Sequence, residues 1–180
     1  RVALARSLAA RPRILLLDEP LANLDQHLRK SMEETFRIFH ERSGATMIYV
    51  THDQAEAMAL ATDVAVMSEG RLMQMAPPAE IYARPEGAIV GGLIGRGSVL
   101  KLAVPEGAPR ALEWPLLRTA LAGVGMEGAG DGAVRDVLVR PEHVRHDGEG
   151  MALRVVSCVF EGERFALTLA LPDGQSLKAY

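Results

Sequence analysis

A single cysteine, Cys158, leaves no possibility of a disulfide within the chain, which fits a reducing compartment. It lies in an alternating apolar stretch, so a small core residue is expected rather than a reactive thiol. No apolar run reaches the length of a membrane span. Charges interrupt the first apolar stretch, so the pattern of a secretory leader is missing too. Neither sign of charge dominates. Twenty Lys and Arg against 23 Asp and Glu give a formal charge of −3. That argues against a nucleic-acid surface spread over the whole chain, while leaving a local basic patch open. These absences predict a cytoplasmic protein with no nucleic-acid partner, which would meet a membrane only through another protein. Hydrophobic residues make up 48% of the chain, enough for a core, so disorder is not expected. A length of 180 residues allows one domain or two small ones.

The most informative segment is Ile14-Leu15-Leu16-Leu17-Asp18-Glu19-Pro20. Four apolar residues in a row predict a strand buried on both faces, as in a parallel sheet. Pro20 cannot supply a ladder N–H and helps close the strand. Two carboxylates therefore stand at the C-terminal edge, where α/β proteins place ligands. There an Asp-Glu pair can divide labour, one serving a hydrated metal and the other polarising a water. The plain alternative is a core strand capped by solvated acids. Asn23-Leu24-Asp25 follows in a turn before a helix. A second strand, Thr46-Met47-Ile48-Tyr49-Val50-Thr51, then ends in His52-Asp53. With the intervening helix as crossover, the acidic pair and the imidazole would sit at the ends of neighbouring parallel strands.

In that order, Leu-Leu-Leu-Asp-Glu-Pro, Leu-Asp and Thr-His-Asp resemble the ATP-binding subunits of ABC transporters, where they are the Walker B strand, the D-loop and the switch histidine. Arg1-Val2-Ala3-Leu4-Ala5-Arg6-Ser7-Leu8 is similar to the stretch that directly follows the signature motif of that family. The signature itself, the Walker A loop and the glutamine loop are absent, so the chain resembles the C-terminal part of a longer protein.

The resemblance implies an ATP-hydrolysing subunit that uses ATP and Mg²⁺. Asp18 would hold Mg²⁺ through water, because that ion keeps much of its hydration shell. Glu19 would orient and deprotonate the attacking water. His52 would contact the γ-phosphate and the water; Asp18, Asn23, Leu24 and Asp25 would be cofactor-binding, with Asp25 reaching across a dimer of ATPase subunits. Asp25 would equally serve as a helix N-cap, and His52 could be no more than a turn histidine. Asp53 and Glu56, three apart at a helix start, predict a capping-box-like arrangement, so Asp53 is expected to be a cap and not a catalyst.

The fold expected is α/β, a partial P-loop NTPase-like parallel sheet with helices, followed by a small all-β barrel of OB-like type. Helices are predicted over residues 1–10, 26–42 and 79–83. The charged residues Arg29, Lys30, Glu33, Glu34 and Arg37 are read as a solvated face with i,i+4 pairs. Residues 63–67 and 71–75 predict a hairpin around Ser68-Glu69-Gly70. Met67, Met73 and Met75 are read as packing residues, since no His or Cys stands near enough to complete a metal site. Beyond residue 95 glycine and proline become frequent. Strands are predicted over 99–104, 135–140, 152–160, 164–171 and 176–180, with Pro172-Asp173-Gly174-Gln175 as a turn and 121–132 as a Gly-rich mobile loop. Val139-Arg140-Pro141-Glu142-His143-Val144 resembles a motif of the TOBE domain, the C-terminal regulatory domain of the importer subfamily. Glu142, His143 and His146 are taken as a solvated turn and not as a metal site.

The domain boundaries expected are 1–85 for the nucleotide-binding part, 86–97 for a linker and 98–180 for the TOBE-like part, with a barrel lacking its last strand. As partners, the resemblance implies transmembrane permease subunits, a second ATPase subunit and, indirectly, a solute-binding protein, with attachment to the inner face of the membrane through the permease. The solute could be iron(III), polyamine, sulfate, thiamine or sugar. A non-hydrolysing regulatory or interaction module is the alternative, because the P-loop is missing. A soluble ABC ATPase of repair or translation is disfavoured by the strand-rich tail.

Overall fold

A computed structural model of the chain describes residue 6 and residues 9–108, 132–146 and 150–180. The chain forms two compact units, Arg1–Ile81 and Tyr82–Tyr180. Most of the helix expected over residues 1–10, and nearly all of the loop over 121–132, lies outside the described residues.

In the first unit β1 (Ile14–Asp18) runs parallel to β2 (Thr46–Val50), in a register that pairs Ile14 with Thr46 and Asp18 with Val50. The crossover is α1 (Gln26–Ser43). Asp25 starts it in an extended conformation and accepts from Leu28 N at 2.9 Å. Gly44 ends it in the left-handed region at φ 62°, with its N–H on His40 O at 3.0 Å. That geometry suits glycine. His40 and Arg42 stand in the last turn, where cations meet the negative end of the helix dipole. Phe36, Met32, Phe39 and Leu24 pack with Leu15, Leu17, Leu21 and Tyr49. Phe36 meets the Tyr49 ring edge-on, with centroids 5.8 Å apart.

The expectation that β1 is buried on both faces is corrected. Leu15 and Leu17 are buried, whereas Ile14 is 62% and Leu16 70% exposed. Among the described residues the core that covers β1 draws its helical side chains from α1, on one side of the strand. The period-2 alternation of a strand then exposes every second residue.

The unit continues with α2 (Gln54–Leu60) and with β3 (Val64–Ser68) and β4 (Arg71–Ala76), an antiparallel hairpin. Its turn residues Glu69 and Gly70 both have positive φ, 49° and 74°, as a tight two-residue hairpin turn requires. Helix α3 (Pro78–Ala83) follows.

The second unit holds α4 (Ala88–Leu93), then β5 (Ser98–Pro105) antiparallel to β6 (Gly132–Val139). A short 3₁₀ turn, Pro141–His143, leads to a three-stranded antiparallel sheet of β7 (Arg154–Phe160), β8 (Phe165–Ala170) and β9 (Ser176–Ala179). The two sheets share one core of Leu100, Leu102, Val104, Leu171 and Leu177, with Val137, Val139 and Leu169 packed against it. The α/β part followed by a small β part is the architecture expected. Residues 86–97, read as linker, contain α4, whose Val90 is fully buried.

The turn Pro172–Gln175 joins β8 to β9, with Gly174 at φ 86° and Asp173 accepting from Gln175 N at 3.0 Å. The Gln175 side chain then binds the main chain of β5, accepting from Lys101 N at 2.6 Å and donating to Lys101 O at 3.1 Å. A carboxamide offers the same donor and acceptor as a peptide group, so it satisfies one residue of β5 much as a neighbouring strand would.

Cys158 is the other correction. It is exposed, as are all residues of β7. Among the described residues the strand pairs with β8 alone, and the core of this unit is built from β5, β9 and the segments beside them. Alternating apolar residues on an edge strand need a covering layer to become core.

Candidate functional site

The parallel register carries the chain from β1 and β2 to the same edge. Glu19 N donates to Val50 O at 2.8 Å, one step beyond the last paired residues. Glu19 has φ 43°, a left-handed conformation uncommon for a residue with a Cβ. Its carboxylate Oε1 lies 2.9 Å from His52 Nδ1. Residues distant in the sequence are thus brought into direct contact at the ends of two adjacent strands. His52 is 75% and Glu19 45% exposed, so the pair is open to solvent. Hydrogen bonding to Glu19, and then the charge of that carboxylate, raises the His52 pKa above the ordinary histidine value. An ionised carboxylate only accepts hydrogen bonds, so Nδ1 carries the proton and Nε2 is the free ring nitrogen.

Glu19 and His52 line a shallow recess together with Ala22, Arg29, Thr51, Asp53 and Glu56. The wall behind His52 is a polar network. Asp53 caps α2, accepting from Ala55 N at 2.8 Å and from Glu56 N at 3.4 Å. Its second oxygen accepts from Arg29 of α1 at 3.1 Å. The capping box expected here is only half present. The Glu56 side chain accepts from Tyr49 and Thr51 hydroxyls, both at 2.9 Å. Thr51 Oγ1 takes the Asp53 N–H, also at 2.9 Å, so the Asp53 N–H is already satisfied by Thr51. Glu56 is 3% exposed. Burial, then the bond to Glu56, pushes the Tyr49 hydroxyl pKa up.

The remaining sequence-derived site residues lie apart from the recess. Asp18 is exposed at the end of β1. Asn23 is exposed, Leu24 packs on the core of Leu15, Leu17, Leu21 and Phe36, and Asp25 caps α1. The expected solvated face of α1 needs one correction. Arg37 does pair along the helix with Glu34 and Glu41, each at 2.6 Å. Arg29 instead leaves the helix surface for Asp53 and Glu56. Among the described residues no group of three or more His, Cys, Asp or Glu is placed to hold a metal ion. A lone exposed carboxylate such as Asp18 suits an ion that keeps most of its water, as Mg²⁺ does, and not one that demands a protein cage.

Residues 137–180 match the TOBE domain family. The chain is 38% identical over 98% of its length to the spermidine/putrescine import ATP-binding protein of Pseudomonas aeruginosa, covering 49% of that protein. It is 39% identical over all of its length to the corresponding protein of Rubrobacter xylanophilus, again covering 49%. It is 37% identical over 98% of its length to the Fe(3+) ions import ATP-binding protein of Pasteurella multocida, covering 50%. Over nearly its whole length the chain is thus similar to import ATP-binding proteins of this kind. It spans about half the length of the curated relatives it matches. Among the described residues no helix is long and apolar enough to cross a membrane.

Proposed function

We propose that this chain forms part of the ATP-hydrolysing, energy-coupling subunit of an ABC-type importer. The observation that carries the reading is the 2.9 Å contact between Glu19 and His52 at the ends of two parallel strands. Phosphoryl transfer asks the protein for position and charge rather than covalent chemistry. Glu19 accepts the proton of the attacking water. His52, once protonated, donates through Nε2 to a terminal phosphate oxygen, while Nδ1 stays on Glu19. Its neutral form with Nδ1–H has only a lone pair at Nε2, so the raised pKa favours the form that can donate. Bound Mg²⁺ would neutralise phosphate charge, with Asp18 holding it through water. Asn23, Leu24 and Asp25 would face a second ATPase subunit, and the permease would hold the assembly on the cytoplasmic side of the membrane. The nucleotide-binding part is assigned to residues 1–85 and the TOBE-like part to 98–180.

The 180 residues contain no Gly-rich phosphate-binding loop with its lysine. Alone they are expected neither to bind ATP tightly nor to turn it over. Relatives of near-equal identity are named for polyamine and for Fe(3+) import, so this subunit is proposed to couple energy while the solute is selected elsewhere. The deciding experiment uses the natural protein that carries this segment, assembled with its permease. Glu19→Gln should slow ATP hydrolysis by about 10²–10⁴-fold, the usual weight of a general base, with ATP binding retained. Turnover within a factor of two of the unsubstituted protein would remove Glu19 from its role.

A further inference from the structure

Outside the Glu19–His52 pair, the recess holds a cation that the functional reading does not use. Arg29 sits one turn into α1, and its own N–H donates to Asp25 O at 2.8 Å. Its NH1 reaches across to Asp53 at 3.1 Å. Its Nε is buried, has no hydrogen-bond partner among the described residues, and lies 3.7 Å from Glu56 Oε1. The placement of Arg29 is more informative than its strength. Asp53 is fixed to Thr51 through its N–H and to Arg29 through its carboxylate, and Thr51 is fixed to Glu56. Both residues flanking His52 are therefore anchored, Thr51 by Glu56 and Asp53 by Arg29 on the helix that starts at Asp25.

We propose that Arg29 is a positioning residue: it ties the His52 turn to the first turn of α1, so that a partner seated at Asn23–Asp25 and the imidazole facing Glu19 move together. This rests on the roles proposed above for Glu19 and His52. Arg29 touches neither of them by hydrogen bond among the described residues, so its effect passes through Asp53 and the backbone. A misplacement of about 1 Å is enough to cost on the order of 100-fold in a positioned reaction.

The test uses the natural full-length protein with its permease. Arg29→Ala should lower kcat for ATP by about 10- to 100-fold with KM within about twofold, and Arg29→Lys, which keeps a charge for Asp53, should recover part of the loss. In a His52→Ala background the Arg29→Ala substitution should add nothing, because its effect runs through His52. Independent losses that multiply would overturn the proposal. A second readout does not depend on turnover. Nitrogen NMR of labelled histidine should show the Nδ1–H of His52 hydrogen-bonded in the unsubstituted protein, with that bond weakened in Arg29→Ala and kept in Arg29→Lys. An unchanged Nδ1 signal in Arg29→Ala overturns the positioning role. Full turnover in Glu19→Gln and His52→Ala, with the NMR change still present, would defeat the functional reading and leave the geometric tie standing, so the two failures differ.

Discussion

Replacing Arg140 by Ala should unfold the second unit at distinctly lower denaturant, and the size of the effect follows from what that side chain holds. Arg140 is 5% exposed. One guanidinium nitrogen donates to Ile94 O, the other to Tyr82 O at 2.8 Å. Its Cζ lies over the Tyr82 ring, 4.1 Å from the centroid. Tyr82 in turn donates its hydroxyl to Glu142, which raises the tyrosine pKa. Truncation would leave the Ile94 carbonyl buried without its partner, at about 1–3 kcal/mol, and the Tyr82 carbonyl less severely so because water can reach it. The lost stacking on Tyr82 adds about 0.5–2 kcal/mol. Together these place the loss at about 2–6 kcal/mol, large for one substitution. Arg140→Lys should recover a minor share, since an ammonium group cannot present the fork that spans two carbonyls. Urea unfolding followed by tyrosine fluorescence, with the m-value checked for constancy, measures all three proteins. A loss below about 1 kcal/mol in Arg140→Ala would show that water or neighbouring groups satisfy both carbonyls, and the clamp would have to be abandoned. Gly95→Ala is the companion test. A Cβ there would meet Tyr82 at 2.4 Å and Arg140 at 2.6 Å, at φ 77°. Its penalty should shrink in the Arg140→Ala background, where the Arg140 contact is gone and Tyr82 is freer to shift, and strictly additive penalties would contradict the packing described.

Three further outcomes are expected. Phe36→Ala should cost about 3–5 kcal/mol in urea unfolding, because the ring is 1% exposed and carries the contact of α1 with β1 and Tyr49; a cost under 1 kcal/mol would mean that α1 does not seal that sheet. Asp25→Ala should cost about 1 kcal/mol through loss of its cap to Leu28 N, seen as lower thermal stability, and no change would show that water replaces the cap. For His52 the folded pKa is raised by Glu19, so the pair contributes stability fully below the ordinary histidine pKa, about 6.5, and loses it as pH rises through the folded value. Histidine NMR should show that pKa falling in Glu19→Gln, and a pKa that stays put would assign the shift to another charge.

Much of the fold could be read because it follows local rules. The α1 helix announces itself through the apolar spacing of Met32, Phe36 and Phe39, and ends where Gly44 allows φ 62°. The hairpins at Glu69-Gly70 and Pro172–Gln175 are stated by residues that tolerate left-handed backbone or bond to their own turn. The misreadings share another origin. Whether Ile14, Leu16 or Cys158 becomes core depends on a second layer, and neither a continuous apolar run nor period-2 alternation says whether one is present. Helix α4 lies within the segment expected as linker, and glycines at 91 and 92 weaken its helical signal. At Gly91 the missing side chain is a packing feature, since a Cβ would stand 3.2 Å from Leu138.

The site divides in the same way. Glu19 and His52 are legible because each ends an apolar strand, and a parallel pair with a helical crossover must carry two such ends to one edge. Arg29, Tyr49, Thr51 and Glu56 carry no comparable signal. Arg29 looks like one more charge on a helix already rich in them, and only the packing of α1 beside α2 turns it away from its own helix toward Asp53. Glu56 looks like half of a capping box, yet Thr51 has taken the N–H that the box would need. Released from that role, its carboxylate accepts two hydroxyls from β2 and the residue after it. The Glu19–His52 contact is thus set by where strands end, which a sequence declares. The network that aims it is set by competition among neighbours for a few hydrogen bonds, and that competition is decided only once the chain has folded.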